Sequence, residues 1–414
     1  MKDVQESTRR WIGIATIFAL AVSGLVHSHL SYSTLFPVEG AFINRDGDIA
    51  GGDFLVFYNA AVMTLAGTAT DVWDHSVFDA NLLKIYGQKI NQLHFLHPPV
   101  ALIMWAPLGF LHHSHALWLW TALPLIGLGW LIFRLTASGL ATGLTLIAPL
   151  ISFTAGSGQT GIVYAVLMAG FMLTCERYPA RNGGIAALVA IKPHLAVAMP
   201  FCLLIDLNWR ALAAMAATTI LLSAFVSLIF GFGIWTAFIE GIRYHSVEFF
   251  QAANLSFDRT PSFLMLALKL GANDFVAWSI QVVCGLATLL MLALAWRPVN
   301  DPLYRAFALA LAICLLTPKI LHYDATVLLV PIAMLIPRIE RGTAEMSLIL
   351  LSVLIWYLPF FEPAFKALGY HPGALLFFIG LIVITVKSLQ SNCSKESTTT
   401  LKTGLESKPS PCEE

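Results

Sequence analysis

Apolar runs of roughly 17–25 residues recur along the whole chain, and each is long enough to cross a hydrocarbon core about 30 Å thick as a helix. The runs are continuous rather than alternating, so the pattern predicts transmembrane helices and not the strands of a barrel. We therefore predict an all-α polytopic membrane protein with about twelve spans. The spans begin near Trp11, His97, His115, Gly139, Thr160, Gly184, Ala211, Phe275, Leu303, Ala325, Ala344 and Gly373.

Two long polar interruptions, 31–96 and 233–271, predict two large loops. Within the first loop, two short segments have apolar residues at helical spacing, which favours helices lying at the membrane surface. The first of these segments follows Asp53 and the second follows Asp71. We predict a single transmembrane domain over 1–389. Residues 390–414 are rich in Ser, Thr, Lys and Glu and are predicted to form a disordered cytoplasmic tail.

The composition supports this class. Hydrophobic residues make up 57% of the chain and charged residues 12%, whereas soluble domains carry about 25% charged residues. The formal net charge is zero, so no global field attracts nucleic acid, and none is predicted as a partner. None of the six cysteines has CxxC spacing, so neither a zinc site nor a disulfide framework is predicted.

Basic residues near the span ends set the predicted orientation. Arg9 and Arg10 place the N-terminus in the cytoplasm, and with twelve spans Arg297, Arg338 and Lys387 also fall inside. Both long loops then lie outside. The sequence therefore predicts a multi-pass protein of the cell membrane (inner or plasma membrane) with its polar loops on the non-cytoplasmic side.

Asp53 is the first candidate for chemistry. It follows Gly51 and Gly52 in the first polar loop, before an apolar segment that contains Tyr58. A carboxylate at the boundary between water and lipid can act as a general base for a reacting hydroxyl group. The alternatives are a solvated carboxylate or an N-cap of the helix that follows, because Asp is a preferred cap residue.

A second polar cluster, 317–324, lies between two apolar spans. Lys319 and His322 can hold a phosphate group, Lys as a point charge and His as a hydrogen-bond donor. The alternative is an interfacial turn with a lysine that extends to the headgroups.

Two breaks interrupt apolar spans. Lys192, Pro193 and His194 form the first, and an ionisable residue within a span is a candidate functional residue. A simple proline kink is the alternative. The second break, 156–159, ends in Gln159, which is either a substrate-binding amide or part of a glycine turn.

Two weaker clusters are treated as structural. The tract from His112 to His115 has the composition of a metal site but lacks carboxylates, so interfacial histidines are favoured. Asp258 and Arg259 of the second loop can meet an acceptor, but a hydrated loop is favoured. No tight pair of carboxylates marks a metal site, so we predict no metal and no other cofactor.

Taken in order, several of these pieces resemble glycosyltransferase family 87, the polyprenol-phosphate-mannose-dependent mannosyltransferases of the GT-C superfamily. The chain departs from the usual family pattern at His97, where tyrosine is frequent, and at His194, where glutamine is frequent. The matching pieces are Gly51-Gly52-Asp53-Phe54-x-x-Phe57-Tyr58, His97-Pro98-Pro99, Gly158-Gln159, Ile191-Lys192-Pro193-His194 and Pro318…His322-Tyr323-Asp324.

The resemblance implies a GT-C fold, an active site on the non-cytoplasmic face and a lipid-phosphate-linked sugar as donor. It implies that Asp53 is the acidic residue near the catalytic centre and that basic residues at the outer helix ends hold the donor phosphate. Lys319 and His322 match that role best, and Lys192 also matches it. The predicted substrate-binding residues are Tyr58, His97, Gln159, His194 and Asp324.

The predicted reaction is transfer of a sugar, mannose or another hexose or pentose, from a polyprenyl phosphate to a lipid- or glycan-linked acceptor with inversion. The rival prediction is a transporter or flippase for a lipid-linked or small solute, since broken spans and an intramembrane lysine suit that class too. The long first loop and the lack of an internal repeat favour an enzyme that works at one face.

Overall fold

The structure, a computed structural model, describes residues 2–35, 49–87, 90, 94–251 and 257–403. Parts of both predicted loops (36–48, 88–89, 91–93 and 252–256) and residues 404–414 lie outside this range. Every regular element in the described residues is helical. The α-helices are α1 (Lys2–Leu35), α2 (Phe54–Leu65), α3 (His75–Tyr86), α4 (Val100–Trp105), α5 (His113–Thr136), α6 (Gly139–Leu146), α7 (Pro149–Gly156), α8 (Gly161–Thr174), α9 (Pro179–Val189), α10 (Ala198–Ile205), α11 (Trp209–Phe230), α12 (Gly233–Gln251), α13 (Phe263–Lys269), α14 (Asp274–Ala295), α15 (Pro302–Leu316), α16 (Leu329–Glu340), α17 (Met346–Trp356), α18 (Glu362–Leu368) and α19 (Gly373–Thr403).

Short 3₁₀ segments lie between some of these helices, and three of them have a proline in the first turn, where its missing N–H interrupts the hydrogen-bonding pattern of the preceding helix. Pro193 opens one such segment between α9 and α10, and another, which contains Asp324, directly precedes α16. The 3₁₀ segments are Ala69–Trp73, Ala106–Phe110, Pro193–Leu195, His322–Leu328 and Leu358–Phe361.

The membrane class predicted from the sequence is confirmed. In the described residues, seven helices are long and apolar enough to cross a bilayer, and a bent pair, Met346–Trp356 with Leu358–Leu368, brings the number to eight. Four further predicted spans coincide with shorter helices instead. These are the spans that were expected to begin near His97, Thr160, Gly184 and Leu303. The count of twelve therefore stays a prediction.

Two large hydrophobic clusters, with a small third one around Leu264 and Ala277, form the interior of the described residues. The larger is centred on α15 and α16 and includes residues of α8, α14 and α19. The smaller is centred on α2 and includes the start of α5, Ile191 and Val226. The Gly51–Asp53 turn belongs to the side of the smaller cluster, whereas Gln159 and Asp324 adjoin the larger one. Polar residues at the boundary between these two clusters are therefore positioned by packing on both sides.

Helix α2 differs from the surface helix expected in the first loop. Ten of its twelve residues are buried, so it lies inside the protein rather than exposing one face. Its few polar side chains are satisfied locally: Asn59 donates to the carbonyl oxygen of Phe78 at 3.1 Å, and Thr64 donates to that of Ala60 at 2.7 Å. The sequence Phe54–Leu65 lacks the charged face that a surface helix needs.

The last helix continues beyond the predicted domain end at residue 389. Helix α19 extends to Thr403, because the segment 381–403 contains neither glycine nor proline to stop it. The remaining part of the predicted disordered tail, 404–414, lies outside the described residues.

Candidate active site

The turn before α2 is docked against the break between α7 and α8 by direct backbone contact. Gly51 and Gly52 have φ values of 81° and 52°, which glycine adopts at low cost. The N–H of Asp53 donates to the carbonyl oxygen of Ser157 at 2.9 Å. A Cβ atom on Gly158 would lie 1.8 Å from the carbonyl oxygen of Gly51. Glycine is therefore required on both sides of this contact.

The Asp53 carboxylate is held from the break and not by its own helix. Oδ2 accepts a hydrogen bond from Nε2 of Gln159 at 2.6 Å. Asp53 stands at the N-cap position of α2, yet its side chain makes no capping hydrogen bond there. Asp53 and Gln159, which were predicted separately from two glycine motifs, thus form one hydrogen-bonded pair.

Burial raises the pKa of Asp53 above its ordinary value. The hydrogen bond from Gln159 and the positive charges of Arg259 and Lys192 oppose this rise only in part. A carboxylate with a raised pKa is a stronger base, so the half-buried Asp53 suits proton abstraction from a hydroxyl group.

Lys192 and Asp324 form a buried ion pair beside this carboxylate. Nζ of Lys192 lies 2.5 Å from Oδ1 of Asp324, and the two residues are 8% and 0% exposed. Asp324 also accepts from the N–H of Leu321 at 3.2 Å, and the ammonium group lies 5.0 Å from the ring centroid of Tyr323. The pair ties the Lys-Pro break to the turn before α16.

The turn 317–323 carries the predicted phosphate ligands at the same end of the bundle. Thr317 donates to the carbonyl oxygen of His194 at 2.8 Å, which joins the turn to the Lys-Pro break. The N–H of His322 donates to the carbonyl oxygen of Arg259 at 3.2 Å, and its ring packs edge-on against Phe153. Burial lowers the pKa of Lys319 to about 8.

His97 supports the Lys-Pro break from the opposite side. Its Nδ1 donates to the carbonyl oxygen of Ile191 at 3.1 Å, and its ring packs on Phe57. Burial, followed by the charge of Lys192, lowers the pKa of His97 to about 3, so the ring is neutral at physiological pH. His97 therefore contacts the segment that presents Lys192, and His194 belongs to that segment.

Tyr58 is the predicted site residue that the structure does not bring into this group. Its hydroxyl group donates to the carbonyl oxygen of Leu111 at 2.9 Å, and its ring contacts His113 edge-on. It packs behind the Asp53 turn instead of beside Lys192.

Arg259 and His371 are residues that the sequence analysis did not select for the site. The charge of Arg259 is close enough to lower the pKa of Asp53, although a hydrated loop was favoured for it. His371 is 4% exposed, and its Nδ1 accepts from the N–H of Gly373 at 2.9 Å, so Nε2 carries the proton. Their sequence signals, one arginine in a polar loop and one histidine before a span, are too common to identify a site.

A mostly apolar cleft begins at His322, between α7, the bent pair of helices and α19. Its polar groups are few and lie together near one end. The lining includes Leu150, Phe153, Pro261, His322, Ala325, Leu358, Glu362, Phe365, His371 and Phe377. The cavity has a volume of about 10 Å³, which is room for about one water molecule, and His322, Glu362 and His371 are among the residues that line it.

The described residues contain no group of three or more His, Cys, Asp or Glu side chains arranged to hold a metal ion. Metal independence stays a prediction from the sequence. The histidine tract 112–115 is spread over differently exposed positions, with His113 buried and His112 and His115 exposed.

Comparison with known families gives one match. The sequence model of glycosyltransferase family 87 matches residues 95–318, which is more than half of the 414-residue chain. The matched range includes His97, Gln159, Lys192 and His194, whereas Asp53 precedes it and Lys319 follows it. No curated protein matches the chain.

Proposed function

The chain belongs to glycosyltransferase family 87, and we propose that it transfers a sugar from a polyprenyl-phosphate donor to a hydroxyl group of a lipid-linked or glycan acceptor. The observation that carries this proposal is the half-buried Asp53 carboxylate, which accepts a hydrogen bond from Gln159 and feels the positive charges of Arg259 and Lys192. The family supports a glycosyltransferase over the rival transporter, and the cationic side chains near Asp53 suit a donor that carries a phosphate group.

The apolar and basic side chains near the site suit the two parts of such a donor. A prenyl chain is hydrocarbon and would lie in the bilayer against apolar side chains such as Phe153 and Phe365, which line the small cavity beside His322. Its phosphate would lie near His322, within reach of Lys319 and Arg259. A protonated lysine, a guanidinium and a histidine N–H are all donors to phosphate oxygens. Mannose or another hexose or pentose would then extend toward Asp53.

The proposed reaction is a single displacement with inversion at the anomeric carbon. Asp53 takes the proton of the acceptor hydroxyl group as that oxygen attacks the anomeric carbon from the face opposite the phosphate. The new bond between the acceptor oxygen and the anomeric carbon forms as the bond from that carbon to the phosphate oxygen breaks. The departing polyprenyl phosphate keeps the electron pair, and Lys319, His322 and Arg259 stabilise its negative charge.

Lys192 is assigned a supporting role in this mechanism. Its ammonium group is paired with Asp324, so the pair presents little net charge to the donor phosphate. Lys192 nevertheless lowers the pKa of Asp53 through space. We assign Lys192 and Asp324 to the positioning of the site and keep Lys319 and His322 as the donor ligands.

We place the reaction on the non-cytoplasmic side of the cell membrane. The distribution of basic residues supports this. Arg338 lies in the last turn of α16, remote from His322, and Lys387 lies near the end of the apolar part of α19 (Gly373–Ser391), remote from His371. Cysteines introduced singly near Asp53 and near Lys387 should react with a membrane-impermeant reagent from opposite sides. Labelling of both positions from one side would overturn this placement.

The direct test uses the purified protein and a panel of polyprenyl-phosphate sugars. Each donor is incubated with the protein, with and without membrane-extracted acceptor, and is scored for conversion to free polyprenyl phosphate. We expect acceptor-dependent conversion of one donor sugar by the parent and loss of conversion by Asp53→Asn. Conversion of no donor by a folded parent, or equal conversion by both proteins, would contradict the proposal.

A further inference from the structure

Behind the Asp53 turn, His113 hydrogen-bonds to the backbone that carries the carboxylate. We propose that His113, oriented by Tyr86, is a positioning residue that holds the Ala50–Asp53 turn in its reactive geometry. This inference rests on the proposed function, because it assigns to Asp53 the role of base. It concerns a residue of α5 that the proposed mechanism does not use.

The hydrogen bonds define the state of the imidazole. Nε2 of His113 lies 3.2 Å from the carbonyl oxygen of Ala50, and Nδ1 lies 2.8 Å from the hydroxyl group of Tyr86. A carbonyl oxygen can only accept, so Nε2 must carry a proton and donate. In the neutral ring Nδ1 is then the acceptor, and the tyrosine O–H donates to it. Tyr86 thus fixes the tautomer that reaches Ala50.

Because His113 is buried, loss of these hydrogen bonds is costly. His113 is 0% exposed, and its ring packs against Phe54, Tyr58 and Tyr86 with centroid separations of 5.3, 5.2 and 5.4 Å. A buried donor or acceptor that loses its partner is costly, because water does not replace the lost bond. The carbonyl oxygen of Ala50 is therefore restrained by the histidine.

Helix α5, which begins at His113, also contacts Gly51, the next residue of the turn. A Cβ atom on Gly51 would lie 2.5 Å from Cδ1 of Leu117, one turn after His113 on α5. From the opposite side, Ser157 accepts the N–H of Asp53. The turn is thus clamped between α5 and the break that presents Gln159. Loss of the hydrogen bond from His113 would remove one of the restraints that α5 places on the turn.

The surrounding histidines supply a matched control. His115 belongs to the same tract, but it is exposed, and its ring packs against that of His112 rather than against the Asp53 turn. Replacement of His115 therefore removes a histidine from the tract without changing the contacts that His113 makes with the Asp53 turn.

We would compare His113→Phe, His113→Gln, Tyr86→Phe and the control His115→Phe with the parent, in full-length purified protein. Sugar transfer gives kcat and the donor KM. Hydrogen exchange of the backbone amides at 52–54 reports on the turn without any need for activity. Misplacement of a reacting group by about 1 Å can lower a rate about 10²-fold.

We expect His113→Phe to lower kcat by about 10²-fold, to leave the donor KM near the parental value and to accelerate exchange at 52–54. His113→Gln, which retains a side-chain N–H donor, should recover part of kcat and of the protection. Tyr86→Phe removes only the hydroxyl group, so it should fold, and it should lower kcat by less than His113→Phe does. His115→Phe should match the parent in all three measurements.

The proposal would be overturned if Tyr86→Phe and His113→Phe both kept the parental kcat and the parental exchange at 52–54. An equal loss of kcat in His115→Phe, or a change in the donor KM alone, would overturn it too. If His113→Phe does not fold, Tyr86→Phe decides the outcome. Failure of the proposed function gives a different result, because the parent would then turn over no donor while the exchange at 52–54 would still respond to His113.

Discussion

Lys192 and Asp324, separated by 132 positions in the chain, form a buried ion pair with Nζ 2.5 Å from Oδ1. The lysine follows α9, where Pro193 prevents the helix from continuing, and the aspartate lies in the 3₁₀ segment before α16. Each residue alone would place an uncompensated charge in the protein interior. Their pairing explains how a lysine can be retained in an apolar run, and it joins the two breaks that flank the site.

The first prediction concerns this pair. Removal of one partner leaves a buried unpaired charge, so Asp324→Asn should lower the free energy of unfolding by about 3–5 kcal/mol. The double replacement Lys192→Met with Asp324→Leu should recover much of that loss, because hydrophobic residues often replace a buried pair at little cost. Unfolding in mixed detergent micelles measures both values. An equal or greater loss in the double variant would show that the pair does not act as a unit.

The second prediction separates catalysis from capping at Asp53. Asp53→Asn should fold and bind donor but lose about 10²–10⁴-fold in kcat, because an amide cannot accept the proton. Asp74 is a matched control, since its side chain accepts from the N–H groups of Ser76 and Val77 and so caps α3. Asp74→Asn should therefore have almost no effect, because Asn and Asp are similar N-caps. Comparable turnover in the two variants would remove Asp53 from the mechanism.

The third prediction is the acid limb of the pH profile. Only the ionised carboxylate accepts a proton, so kcat/KM should rise as pH increases through the pKa of Asp53. Burial raises that pKa, and the limb should therefore lie above the ordinary aspartate range. Gln159→Leu removes a hydrogen bond that stabilises the charged form, so the limb should shift to higher pH. A limb that stays in place in Gln159→Leu would mean that another group titrates.

The fourth prediction is the alkaline limb. Lys319, with a pKa of about 8, is charged below that pH and loses its charge as pH rises. If it holds the donor phosphate, kcat/KM should fall above about pH 8 in the parent. Lys319→Arg should move this limb far upward, because a guanidinium stays protonated. The limb in kcat should lie higher than that in kcat/KM, since bound phosphate stabilises the ammonium group. An identical limb in Lys319→Arg would exclude Lys319 as its origin.

Much of the fold was predictable because its signals are local. Long apolar runs predict membrane helices, and Gly158 and Pro193 predict breaks at positions where the structure has them. The pairing of these breaks was not predictable. Gln159 reaches Asp53 across 106 positions, and such contacts leave no trace in periodicity or composition. The placement of α2 inside the protein also depends on packing partners, since an apolar segment of twelve residues is compatible with either location.

The last prediction tests the backbone contact that brings Asp53 to Gln159. Gly158 has a φ of 67°, and a Cβ atom there would lie 1.8 Å from the carbonyl oxygen of Gly51 and 2.4 Å from the N atom of Phe54. Neither backbone atom can move without shifting the turn that carries Asp53. Gly158→Ala should therefore lower kcat by about 10²-fold or more.

Gly67→Ala separates this close approach from backbone strain alone. Gly67 has a φ of 84°, yet nothing lies within 4 Å of its would-be Cβ atom, so this variant has the strain without the collision. We expect Gly67→Ala to lose stability while keeping the parental kcat, because left-handed backbone is unfavourable for alanine but the active site is untouched. Thermal unfolding and kcat measured on both variants provide the comparison. Equal kcat values in the two variants would show that the close packing of Gly158 on Gly51 does not position the carboxylate.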